Sequence, residues 1–138
     1  MPKFRVVIGT SSGKCLQKEL TDDESKHFIG KQLKESIKGE LIGFPGYEFL
    51  ITGGSDYCGF PMRWDVAGTN RQQILVVAPT VGVKKASKSK KARVRKLVCG
   101  NTIHDKTVQI NLKIVKEGHA PLFEEKKEEA AKTEAAKE

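Results

Sequence analysis

Residues 3–8 (KFRVVI) alternate apolar and charged side chains, the period-two pattern of a strand. Thr10, Ser11, Ser12 and Gly13 form a turn signal, and residues 14–20 read as the hairpin partner. Thr21-Asp22-Asp23-Glu24 has the form of a capping box, and its acidic residues suit the positive end of a helix dipole. A short helix over about residues 22–32 is predicted, with Gly30 as a break near its end. Residues 33–42 fit no single period, and Gly39 and Gly43 argue against a long helix.

Residues 47–52 (YEFLIT) are aromatic and β-branched and predict a strand. The continuous apolar run 74–78 (ILVVA) predicts a strand buried on both faces. Residues 107–115 give the cleanest pattern. Val108, Ile110, Leu112 and Ile114 share one face, with Gln109, Asn111 and Lys113 on the other. Several short strands, glycine-containing turns and one small helix imply a mainly β (β-rich α+β) fold. The expected form is a small closed or partly open β-barrel or sandwich.

With 138 residues the chain has the length of one domain. The expected division is a domain over 1–118 and a tail over 119–138. Within the tail, residues 124–138 contain only Glu, Lys, Ala and Thr, which have no apolar face larger than alanine. The tail is expected to be a frayed helix or disordered. No apolar run approaches the length of a bilayer span, and the N-terminus carries no apolar signal stretch, so a cytoplasmic protein with no membrane partner is expected. Cys15, Cys58 and Cys99 are widely spaced and odd in number, and His27, His104 and His119 complete no zinc pattern. Buried or half-buried reduced thiols, no metal and no cofactor are expected.

Charge changes the picture most. Of the 25 Lys and Arg, eight fall in residues 84–96 (KKASKSKKARVRK), and the other 17 match the 17 Asp and Glu of the whole chain. The net charge of +8 therefore belongs to one segment. No residue from Val66 to His104 is acidic, whereas a merely solvated surface mixes its signs. Like charges this dense repel one another and call for a polyanion. The segment is expected to be a solvated loop that orders on nucleic acid.

A second feature is the glycine-rich stretch 53–62 (GGSDYCGFPM). Its glycines permit tight turns, Pro61 fixes φ, and Asp56 is placed to accept local backbone amides. It lacks the Gly-Lys-Ser/Thr of a phosphate-binding P-loop and any Gly-x-Gly-x-x-Gly. Asp56, Cys58 and His104 are reactive residue types, but no nucleophile motif surrounds them, so neither an enzyme nor a small-molecule substrate is expected.

The stretch 51–62 (ITGGSDYCGFPM) resembles the signature of the ribosomal protein S6e family of archaeal and eukaryotic small subunits, with Gly53, Gly54, Asp56, Gly59, Pro61 and Met62 at its fixed positions. Residues 21–24 resemble the acidic start of that family's helix, and residues 100–103 and 108–113 its last strands. The resemblance spans about residues 3–117. It implies a small β-barrel without catalytic activity, bound to ribosomal RNA beside neighbouring ribosomal proteins, with a basic loop where residues 84–96 stand. The short, slightly acidic tail is closer to archaeal members than to the long basic helix of eukaryotic ones.

The candidate RNA-binding residues are Lys84, Lys85, Lys88, Lys90, Lys91, Arg93, Arg95 and Lys96, with a second patch at Arg63 and Arg71 beside Trp64 and Asn70. Lysine is a flexible point charge suited to phosphates, and no aromatic residue occurs from Asp65 to Leu122. Both features point to the phosphate backbone of folded RNA, read by shape. The aromatics Phe44, Tyr47, Phe49, Phe60 and Trp64 are expected to pack in the core or the loop. A free RNA-binding translation or assembly factor of barrel fold is the alternative to a ribosomal constituent.

Overall fold

The structure is a computed structural model and describes residues 3–77, 79–83, 93–118 and 122. Seven strands make up most of its regular structure: β1 (Arg5–Gly9), β2 (Cys15–Glu19), β3 (Ser36–Lys38), β4 (Glu48–Asp56), β5 (Gln72–Val77), β6 (Arg93–Val98) and β7 (Thr107–Lys116). One helix, α1 (Asp22–Lys26), and a 3-10 turn over Gly39–Ile42 interrupt them. The fold is β-rich α+β, as the patterning implies.

Five strands form one sheet in the order β2-β1-β7-β4-β3. The pairs β1–β2, β4–β7 and β3–β4 are antiparallel, while β1 and β7 run parallel. The alternation read in β7 fits this arrangement, because Val6 lies opposite Ile110, Ile8 opposite Leu112, and Leu112 also opposite Ile51. These five side chains are buried, so three adjacent strands present one continuous apolar face. Phe4, Leu20, Phe28, Leu33, Ile42 and Ile103 also belong to the core, and Leu122 packs against it. At one end, Tyr47 stacks on Phe49 at 5.8 Å between ring centroids, and Phe44 meets both rings edge-on.

Four expectations are corrected. Among the described residues the sheets do not close into a barrel: β2 and β3 are the edges of the large sheet, and β5 and β6 form a separate two-stranded sheet. The apolar run at 74–78, of which Ala78 lies outside the described residues, is not buried on both faces. Of the described residues of the run only Val76 is buried, while Leu75 and Val77, which share the opposite face, are 56% and 44% exposed, because that face of the two-stranded sheet is left uncovered among the described residues. The helix ends at Lys26, and the chain continues in turns through Phe28 to Gly30, whose φ of 84° is left-handed. Of the cysteines, Cys99 is buried but Cys15 and Cys58 are exposed.

The capping box is formed. The Thr21 amide and hydroxyl both donate to Glu24 Oε2, at 2.9 and 3.0 Å, and Lys18 Nζ donates to Oε1 at 3.0 Å. Burial pushes the Glu24 carboxyl up, but the Thr21 amide, the Lys18 ammonium and the Thr21 hydroxyl together hold it below its ordinary 4.5. A carboxyl depressed in the folded state adds stability above its unfolded pKa and loses it as pH falls through the folded value. Melting temperatures measured from pH 6 to about pH 3 should therefore drop less steeply for Glu24→Gln than for the parent. Parallel curves would remove Glu24 from the acid response.

Candidate nucleic-acid interface

The glycine-rich stretch begins inside a strand. Gly53 and Gly54 belong to β4, whose pairing with β7 shifts register between Ile51 and Gly53 and again between Ser55 and Asp56. A β-carbon at Gly54 would lie 2.6 Å from the Gln109 carbonyl oxygen and 3.0 Å from the Met62 sulfur. Glycine is what lets β7 and Met62 close on β4 from two sides.

Beyond Asp56 the chain folds back tightly. The Gly59 amide donates to the Asp56 carbonyl at 2.8 Å, the Asp56 amide to Phe60, and the Met62 amide to Gly54 at 3.0 Å. Pro61 and Met62 then join the chain after β6, since the Cys99 amide donates to the Pro61 carbonyl and the Arg63 amide to Cys99. The stretch is thus a joint between the two sheets.

Asp56 is the buried carboxylate of this joint. Its Oδ1 accepts the Tyr57 amide at 2.6 Å, the local bond expected from sequence. Its Oδ2 accepts Arg71 Nε at 2.7 Å, also meets Arg71 Nη2, and lies 3.6 Å from the Cys99 thiol. The hydrogen bond to Asp56 raises the Arg71 guanidinium above its ordinary value. Burial, and then the charge of Asp56, push the Cys99 thiol up. The Arg71 guanidinium also lies 4.8 Å from the Tyr57 ring centroid and 5.1 Å from that of Phe60.

The second expected patch is therefore engaged inside the molecule. Arg71 is held by Asp56, and Arg63 grips Asp65 through two bonds, Nε to Oδ1 at 2.8 Å and Nη2 to Oδ2 at 2.6 Å. The hydrogen bonds to Asp65 raise the Arg63 guanidinium and hold Asp65 below its usual range. Both arginines position the loop around them.

The basic segment divides. Lys84, Lys85, Lys88, Lys90 and Lys91 lie outside the described residues. Arg93, Arg95 and Lys96 stand on β6, so this end of the segment is a strand and not the expected loop. Register places Arg93 opposite Val77 and Arg95 opposite Leu75, on the face of the hairpin turned from the buried Val76 and Val98. Lys96 lies opposite Ile74, and all three basic residues are exposed.

Several surface groups were not legible beforehand. Trp64, expected to pack in the core or the loop, is 58% exposed, with Lys34 Nζ 3.9 Å from its ring centroid. Lys34 has a φ of 73°, a left-handed conformation unusual for lysine. Beside Asp56, Tyr57, Thr69, Asn70, Arg71, His104 and Lys106 line an open cleft of about 640 Å³. Tyr57 is 60% exposed at its mouth. The turn position of Tyr57 hinted at exposure, but nothing local joins residues 57, 70 and 106.

Comparison with known proteins agrees with the sequence motif. The chain is 44% identical over 129 residues to the small ribosomal subunit protein eS6 of Nanoarchaeum equitans, covering 91% of this chain and 92% of that one. It is 41% identical over 124 residues to the eS6 protein of Archaeoglobus fulgidus, with 88% and 94% coverage. For the eS6 protein of Methanocaldococcus jannaschii the identity is 40% over 125 residues, with 90% and 91% coverage. The family model described as ribosomal protein S6e matches residues 4–126. With the Gly53–Met62 joint folded as a single unit around Asp56, this chain belongs to the ribosomal protein S6e family.

Proposed function

We propose that the chain is a structural constituent of the small ribosomal subunit, bound in the cytoplasm to folded ribosomal RNA and beside other ribosomal proteins. Its family is one of ribosomal structural proteins, not enzymes. The observation that carries the RNA reading is the exposed pair Arg93 and Arg95 on one face of β6, with the exposed Lys96 on the other, which together continue a segment free of acidic residues. A strand holds these three charges at fixed spacing on an exposed surface, and Lys84, Lys85, Lys88, Lys90 and Lys91 of the same stretch of sequence add positive charge that phosphates neutralise. Arg63 and Arg71 support that surface through the loop they brace.

Sedimentation tests the assignment. The chain should stay with the small subunit through a moderate salt wash and appear in stoichiometric amount. Release under that wash would favour a free translation or assembly factor instead.

A further inference from the structure

We propose that the cleft beside Asp56 receives one unstacked nucleotide of the bound RNA, with its base against Tyr57 and its phosphate near Lys106. This rests on the RNA-binding reading and adds a contact of another kind, since the basic segment supplies charge without an aromatic surface.

Tyr57 is built for stacking. Its amide donates both to Asp56 Oδ1 at 2.6 Å and to the Lys106 carbonyl at 3.0 Å, so its backbone is fixed while its side chain reaches solvent. Arg71 lies over the ring and is itself tied to Asp56, so the ring is held on a charged support while 60% of the residue stays exposed to a flat partner. A base between a held aromatic and solvent gains stacking at little ordering cost.

The rest of the cleft suits a nucleotide. Arg71 and Asp56 cancel each other's charge, and Lys106 leaves the site cationic. Among the described residues, the side chains of Thr69, Asn70 and Lys106 make no hydrogen bond or ion pair. Asn70 offers both a donor and an acceptor to a base edge, and Lys106 offers a point charge to a phosphate. Among the described residues no aliphatic side chain lines the cleft, which argues against an apolar peptide anchor as its occupant. Its volume of about 640 Å³ is ample for one nucleotide.

The test measures binding of the full chain to small-subunit ribosomal RNA across a salt series. Tyr57→Ala should weaken binding by about tenfold to a hundredfold at every salt concentration, with the salt slope unchanged, because a stack releases no counterions. Tyr57→Phe should bind like the parent. Lys106→Ala should lower the slope by about 0.7–0.9, the share of one phosphate. The exposure of Tyr57 predicts that its variants melt near the parent temperature. Parental affinity in Tyr57→Ala, with a basic-segment variant still losing its slope, would overturn the cleft and leave the RNA reading standing. If neither variant changed binding, both would fall. In assembled subunits, a benzophenone amino acid replacing Tyr57 should crosslink to RNA, and crosslinking to a protein neighbour would overturn the proposal.

Discussion

Replacing Lys88, Lys90, Lys91 and Arg93 together by alanine is expected to lower the salt slope of RNA binding by about 3, with roughly a hundredfold loss of affinity near physiological salt. Each lysine or arginine that meets a phosphate releases a condensed counterion and contributes about 0.7–0.9 to the slope. The loss should shrink as salt rises, since it is electrostatic. Arg93 is exposed on β6 and pairs across the hairpin with Val77 through the backbone, so its side chain is dispensable for the strand. The melting temperature should therefore hold. An unchanged slope would mean that this segment is not the anchor.

Gly54→Ala and Gly53→Ala should have opposite consequences, although they alter neighbouring residues of one motif. At Gly54 the new methyl meets a backbone oxygen at 2.6 Å and the Met62 sulfur at 3.0 Å. Backbone cannot yield as a flexible side-chain end can, so β4 must part from β7 or Met62 must leave its buried seat. Overpacking of this kind costs about 1–3 kcal/mol, which lowers the melting temperature by roughly 10 °C in a domain of this size. At Gly53 the nearest atom is the Asn111 side-chain nitrogen at 3.9 Å, an ordinary contact, and φ is not left-handed. Alanine there should be neutral or slightly stabilising, because it restricts the unfolded chain. Thermal melting of the two variants decides it. Equal destabilisation would show that Gly54 is not held by the contact with β7.

Signals confined to a few residues were legible in sequence. The capping box at Thr21 and Glu24 is a four-residue pattern and forms as read. The alternation of β7 survives because its neighbours β1 and β4 bury the same face. What failed depended on distant partners. The apolar run of β5 looks like a strand buried on both faces, but among the described residues only the Val76 face of its two-stranded sheet is covered, which leaves Leu75 and Val77 at the surface. Barrel closure is likewise a property of which strands end as edges. At the site, Arg63 and Asp65 stand two residues apart, so that ion pair could have been found. Arg71 meets Asp56 across fifteen residues and the turn between them, and no periodicity announces that. The cleft joins residues as distant as Tyr57 and Lys106, so only the folded chain reveals it.

The parallel contact of β1 with β7 also imposes an order in time. During synthesis β1 emerges before the other described strands and can pair with β2 at once, but its other neighbour, β7, is the last of the described strands to be made. Between them, β4 has only the short β3 as a companion until β7 arrives. The central seam of the sheet is therefore a late, non-local event, and such pairings form slowly because a long loop must close first. Until Thr107–Lys116 has left the ribosome that makes it, the apolar faces of Val6, Ile8, Phe49 and Ile51 lack the strand that joins them. A nascent chain halted before that strand should be the aggregation-prone species.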